Sequence, residues 1–395
     1  MSPQQVAVIG TGQTVFKKHH DDKTYAELVQ DATLAALADA KMTPDEIDAV
    51  VFSMAPTEFA GIHDIEKWSV DSIFGAGKPL MRVHTGGATG GSALHAGYTH
   101  VASGLFRNVL VVGADRVAET PDAQHILNLI WDRFYEFDFA LNTVTMTALS
   151  TQRQMARYGT TEEQFAQVVV RARANALKNP NAHLKGKITI GDVMNSPAVA
   201  WPYKLFDCCP RSSGGAAMVL TTLDGAREKC ANPAFVNGIG ATSSTVFQGD
   251  KTGPKADVEY ADLAELEIAG KEAFAQAGIT NPMKEIQVAE LYDPFSSMQF
   301  PQLESLGFCG RGEAPALSDA GAFDLGSDLT VSPSGGSLCT NPIGVTGLVR
   351  AIEAANQVMQ RAGDMQVSGV RNAVATAIGG SAQFYTASVF GADHL

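Results

Sequence analysis

Gly86-Gly87-Ala88-Thr89-Gly90-Gly91 stands between an apolar strand ending near Val83 and an alanine-rich helix running to about Ala102. A strand that enters a helix N-terminus through small residues exposes backbone N–H groups to a carbonyl or an anion. The residue at such a turn faces the ligand, and here it is Gly87. Gly87 leaves a site able to stabilise negative charge but unable to attack covalently from that position. The plainer alternative is a packing turn without a ligand.

The 395 residues, with 45% hydrophobic content and 38 glycines, suffice for two ordinary domains or for one duplicated α/β unit with a large buried core. A net charge of −13 disfavours nucleic acid and anionic membrane surfaces as partners. The start, Met1-Ser2-Pro3-Gln4-Gln5 followed directly by a strand from Val6, lacks a basic and apolar leader, and no apolar stretch approaches membrane-spanning length. A cytoplasmic protein without a membrane span is expected. Five cysteines, at 208, 209, 230, 309 and 339, lack metal-ligand spacing, so neither disulfides nor a metal site is expected, and Cys208-Cys209 reads as packing.

Laid against itself, the chain repeats. Ala38-Asp39-Ala40-Lys41-Met42-Thr43-Pro44 running on to Val51 matches the stretch from Ala275 through Pro282 to Ala289, with one residue inserted. In the same order, Ser103–Gly113 matches Ser368–Gly379, and the opening strand Val6–Gly12 matches Phe235–Gly240. Each half therefore begins strand, loop, helix, strand. Strands such as Val109–Val112 are apolar on both faces, and Leu348, Ile352, Ala355 and Met359 form a helical stripe. Sheets covered on both sides, stacked with shared helices between them, are the expected result. Residues 116–213 have no counterpart in the second half. They carry Trp131, Phe134, Tyr135, Phe137 and Phe139, then Arg171, Arg173, Lys178, Lys185 and Lys187. This segment reads as an inserted cap whose aromatics form a small core or hold an acyl group, and whose basic residues are solvated or meet a nucleotide phosphate.

At this point the residues resemble the thiolase superfamily, within it the sterol-carrier-protein type. The resemblance spans nearly the whole chain. Gly86-Gly87-Ala88-Thr89-Gly90 stands where such thiolases have Asn-Cys-Ala-Thr-Gly, and Glu290-Leu291-Tyr292-Asp293-Pro294-Phe295 where they have His-Asp-x-Phe or Asn-Glu-x-Phe. Asn341-Pro342-Ile343-Gly344-Val345-Thr346-Gly347 matches their Gly-His-Pro-x-Gly-x-Thr-Gly turn, and Ala377-Ile378-Gly379-Gly380-Ser381 their Cys-x-Gly-Gly-Gly. The cap run Ala156–Gln164 and the stretch Leu205–Pro210 followed by Ser213-Gly214-Gly215 also fit. The resemblance implies an α/β, duplicated thiolase fold layered αβαβα with a cap insertion. Its parts would be 1–115 for the first portion of the N-terminal half, 116–213 for the cap, 214–232 for the end of that half and 233–395 for the C-terminal half.

The departures bear on function. Gly87 replaces the acylated cysteine, Asn341 the activating histidine and Ala377 the acid/base cysteine, so Claisen chemistry through an acyl-enzyme is not expected. What remains polarises a thioester: backbone N–H groups near Gly87, Gly379 and Gly380 and the amide of Asn341. Tyr292 adds a phenol, ordinarily of pKa about 10, which donors or helix dipoles would lower toward proton transfer. The set resembles thiolase-fold aldolases that shorten steroid side chains, with a tyrosine at this place and a small zinc-ribbon and oligonucleotide-fold partner. That implies retro-aldol cleavage of a β-hydroxyacyl-CoA with Tyr292 and Asn341 as catalytic residues, Gly87, Gly379 and Gly380 as the thioester-binding groups, and no cofactor beyond the substrate's coenzyme A. The alternatives are a non-catalytic acyl-CoA or lipid-binding subunit and an acyltransferase using Cys339. A homodimer through the strand at Arg82–His84 is expected, with the small partner on the cap.

Overall fold

The computed structural model describes residues 4–139, 141–252 and 258–395, so Met1–Pro3 of the chain start lie outside it. In chain order the strands are β1 (Val6–Gln13), β2 (Ala49–Ser53), β3 (Leu80–Val83), β4 (Asn108–Arg116), β5 (Ala198–Ala200), β6 (Tyr203–Lys204), β7 (Ser213–Thr222), β8 (Ala234–Ser243), β9 (Val288–Glu290), β10 (Thr330–Val331), β11 (Asn372–Gly379) and β12 (Phe384–Gly391). β5 and β6 pair in a small hairpin, and the other strands run in the order β10-β9-β11-β12-β8-β1-β7-β4-β2-β3. From the centre outward, β1-β7-β4-β2-β3 and β8-β12-β11-β9-β10 are the same arrangement twice. In each, the three outer strands are parallel and the two inner pairings antiparallel. Ala7 opposite Phe235 and Val8 opposite Ala234 join the halves.

The layers follow from which faces are apolar. The helix Tyr25–Ala40 packs Leu28, Ala32 and Ala36 on the outer face of the first half with Ile9, Val50 and Phe52, and the helix Ala264–Gln276 does the same for the second half beside Val374, Ala387 and Val389. Between the half-sheets lie the helices Thr89–Ala102 and Thr346–Val358, whose Ala93, Leu94, Leu348 and Ile352 share one core with Val51, Val111 and Ala375. The helix Thr346–Val358 is buried on every side except at Asn356, more than the predicted stripe implies, because sheets cover it above and below. Its N-terminus meets that of the Thr89–Ala102 helix backbone to backbone: a Cβ on Gly90 would stand 2.1 Å from the Leu348 nitrogen.

Residues 117–212 leave β4 and return in β7, carrying the helices Ala123–Asn128, Thr143–Tyr158, Glu162–Ala176 and Ile190–Met194. Asn142 and Thr161 cap two of them with reciprocal side-chain and backbone bonds. Phe165, Val168 and Val169 pack against Phe300 and Leu303 of the second half. Two expectations for this segment need correction. Phe134, Tyr135, Phe137 and Phe139 do not form a core but are exposed, and only Trp131 of the five aromatics is buried. Arg171 does not meet solvent but is buried, donating to Ser318 and Gln299, because its helix turns that face inward.

Candidate active site

After β3 the chain turns through Thr85–Ala88. The Thr89 hydroxyl donates to the Gly86 carbonyl at 2.6 Å and accepts from the Thr85 N–H at 2.9 Å, while the Ala88 N–H donates to the Thr85 carbonyl at 3.2 Å. None of these bonds uses the Gly87 N–H. A Cβ on Gly87 would stand 2.5 Å from the Tyr292 hydroxyl oxygen and 2.5 Å from the Ile378 carbonyl. The phenol thus fills the space that a side chain at residue 87 would enter. From the opposite half, Gly379 presses on the same turn: its Cβ would lie 2.1 Å from the Thr85 carbonyl and 2.7 Å from the Gly87 nitrogen. Gly87, Gly379, Gly380 and Tyr292 therefore converge, at the C-terminal ends of the parallel strands of both halves, where open α/β sheets bind ligands.

Tyr292 follows β9 and is fixed by its backbone. Its N–H donates to the Thr376 hydroxyl at 3.0 Å and its carbonyl accepts from the Gln302 amide at 2.9 Å. The ring is buried, and among the described residues nothing hydrogen-bonds its hydroxyl. Burial, then Cys209 and Asp115, pushes the phenol above its ordinary pKa. This reverses the expected lowering, because no donor reaches the oxygen to favour the phenolate.

Asn341 enters the helix Thr346–Val358 with both ends of its amide engaged. Its Oδ1 accepts from the Thr346 hydroxyl at 2.7 Å and its Nδ2 donates to Cys209 Sγ at 3.0 Å. The first half clamps this turn: the Gly344 N–H donates to Asp115 at 2.7 Å and the Ser53 hydroxyl donates to the Gly344 carbonyl at 2.9 Å. Burial pushes the Asp115 carboxyl up. Ala377 is buried in β11, and its Cβ would crowd any side chain at Gly347 at 2.7 Å.

Sequence reasoning missed Cys209. Its N–H donates to the Pro294 carbonyl at 2.8 Å, which draws it beside the Tyr292 segment, and burial pushes its thiol up to about 11. Packing describes Cys208, set near Tyr203 and Phe295, better than it describes Cys209. The sequence carries one trace of this: residue 209 lies just before the Ser213-Gly214-Gly215 entry into β7, at the same end of the sheet as Gly87. Cys339 is elsewhere in character, wholly inside the core of the second half with its thiol pushed up to about 12 by burial.

The family model described as "Thiolase, N-terminal domain" matches residues 6–193, and "Thiolase C-terminal domain-like" matches residues 255–392. An acetyl-CoA acetyltransferase of Methanothermobacter thermautotrophicus is 32% identical over 96% of this chain and 97% of its own. A steroid side-chain-cleaving aldolase of Thermomonospora curvata is 30% identical over 89% of this chain and 90% of its own. The solved Ltp2-ChsH2(DUF35) aldolase superposes with a TM-score of 0.84 at 28% identity, covering 100% of this chain and 99% of that one.

Proposed function

This chain belongs to the thiolase family, and we propose that within it the chain is a carbon–carbon lyase that cleaves a β-hydroxyacyl-CoA by a retro-aldol reaction. A steroid side-chain CoA thioester is the proposed substrate class. The observation that carries this reading is the Tyr292 hydroxyl in the space of a residue-87 side chain. The place from which a thiol would attack the thioester holds a proton carrier instead.

The reaction balances around that group. The β-hydroxyl loses its proton, the bond between the α and β carbons breaks, and a ketone leaves. The electron pair moves toward the thioester, whose oxygen takes on enolate character in the transition state and is held by the N–H groups of the Gly87 and Gly379–Gly380 turns, with the Asn341 amide as a further donor. Tyr292, neutral because it is buried, accepts the substrate proton as it gives its own to the α carbon, so no phenolate has to form. A shorter acyl-CoA is released. The similarity to the steroid side-chain-cleaving aldolase supports this chemistry. The acetyltransferase relative favours acyl transfer as a second reading. That reading needs a nucleophile, and Cys339 is buried with its thiol at about 12. A non-catalytic carrier would have no use for a free phenol against the turn.

The likeness to the Ltp2-ChsH2(DUF35) aldolase supports a heteromeric assembly. In the proposed assembly a small zinc-ribbon and oligonucleotide-fold subunit covers the exposed Phe134, Tyr135, Phe137 and Phe139, and two copies of this chain pair along β3, an edge strand of the sheet. The test is to supply the purified chain, alone and with that subunit, with a β-hydroxyacyl-CoA bearing a tertiary hydroxyl, and to follow products by mass spectrometry. Ketone plus shortened acyl-CoA is expected. Thiolysis products, or intact substrate under both conditions, overturn the proposal.

A further inference from the structure

The Gly379–Ala382 turn is held from outside by residues that no part of the chemistry above uses. We infer that Gln248 and Lys251 are positioning residues for the Gly379 and Gly380 N–H groups, an inference that rests on the retro-aldol reading of the site. Gly380, Ser381 and Ala382 follow one another at φ of +59°, +58° and +63°. The last two carry side chains in a left-handed conformation that persists only where the surroundings over-determine it.

Those surroundings come largely from the 244–251 segment. Gln248 Nε2 donates to the Ser381 carbonyl at 3.0 Å, and Lys251 Nζ donates to the Ala382 carbonyl at 2.6 Å. Tyr385 adds its hydroxyl to the same Ala382 carbonyl at 2.9 Å, and the Gln383 amide donates back to the Val246 carbonyl at 2.8 Å. Gln248 is itself tied to the cap, its N–H donating to the buried Glu136 carboxylate at 2.7 Å.

Lys251 is the telling member. The residue is 8% exposed, yet among the described residues its ammonium makes this one hydrogen bond and no ion pair. Burying a cation is costly; Glu265 acts on it only through space, and its hydrogen bond is spent on one carbonyl of the left-handed turn. Beyond that turn, Gly379 and Gly380 touch the Thr85–Gly87 backbone with no side chain intervening. A shift of the Ser381 and Ala382 carbonyls therefore moves the thioester-binding N–H groups against Gly87. The line from Glu136 through Gln248 to Ser381 connects the cap, beside its exposed aromatics, to the reacting carbonyl.

The variants Lys251→Met and Gln248→Ala remove the two bonds while leaving Tyr292, Gly87 and Asn341 in place. In the full assembly each is expected to lower kcat for β-hydroxyacyl-CoA cleavage by about 10²-fold with KM unchanged, as small misplacements of catalytic groups do. Amide exchange across residues 379–383 should quicken in both, a local readout that general destabilisation would spread over the fold. Unchanged kcat, or a loss of kcat with unaltered exchange at 379–383, overturns the inference. If Lys251→Met fails to fold, Gln248→Ala decides alone. An inactive wild type sinks the retro-aldol reading instead, and the exchange measurement still decides whether these residues hold the turn.

Discussion

Two turns occupy equivalent places in the two halves, each leading into one of the paired central helices, and their contents are opposite. The turn before Thr89–Ala102 has no side chain at Gly86 or Gly87, and a phenol from the other half fills the space at Gly87. The turn before Thr346–Val358 carries Asn341, with its amide bonded at both ends to Thr346 and Cys209. Both helices start at the same backbone-to-backbone contact, where Gly90 meets the Leu348 nitrogen. Scaffold and chemistry are therefore separable here: the contact fixes both turns in space, and the residues displayed at Gly87 and Asn341 take no part in it. The connections between antiparallel strands teach the same lesson. β4 reaches β7 through residues 117–212, whereas β11 reaches β12 through residues 380–383, and Glu136 from the long connection helps to hold the short one.

The hardest test of this contrast is Tyr292→Phe, which keeps the ring in place and removes the oxygen that occupies the empty turn. Cleavage should fall by about 10²–10⁴-fold with thioester binding little changed. Steady-state rates equal to wild type would take Tyr292 out of the chemistry and leave the two turns without distinct roles.

Gly87→Cys refills the empty turn. Its side chain would meet the phenol and the Ile378 carbonyl, each 2.5 Å from Cβ. Cleavage should drop by about 10²-fold, and overpacking should cost about 1–3 kcal/mol of stability. Thiolysis should not appear, since Asn341 cannot take a proton from the thiol. Thiolysis at an ordinary thiolase rate would mean that the second turn retains more of the ancestral chemistry than its bonded amide indicates.

The paired helices can also be contrasted by charge. Burial pushes His95 down to about 4 on the first and Glu353 up to about 7 on the second. His95, lowered on folding from about 6.5, stabilises the fold above that pH and loses its contribution as pH falls toward 4. Glu353, raised on folding from about 4.5, contributes below that pH and loses its contribution as pH rises through 7. The two oppose each other in one window. Glu353→Gln should therefore make the unfolding free energy rise more steeply with pH between about 4.5 and 7 than in wild type, measured by urea titration across that range. Parallel curves would show that Glu353 does not titrate with the fold.

Cys339→Ala is expected to have the smallest effect. The thiol lies in the core near the second turn, so turnover should be unchanged and intact mass should reveal no acyl adduct on the wild-type chain. An adduct lost in this variant would move the nucleophile to the second half.

Pattern along the chain was enough for the duplication, the cap insertion and the glycine turn at Gly87, and the resemblance of short motifs to those of thiolases added Tyr292, Asn341, Gly379 and Gly380 to the candidate set. Strand and helix periodicities, and short motifs bearing their chemistry on neighbouring residues, are local properties. They are written wherever the backbone will later go. Packing between distant segments sets which groups share a space and which are shut from water. Tyr292 reaches the place of a residue-87 side chain across 205 positions of sequence. Cys209 meets Asn341, Arg171 turns inward, and Phe134 turns out while nearby Trp131 is covered. The raised pKa of the phenol belongs to the same class. Burial and contact depend on what another segment packs over a residue, and no residue carries that information in its own neighbours.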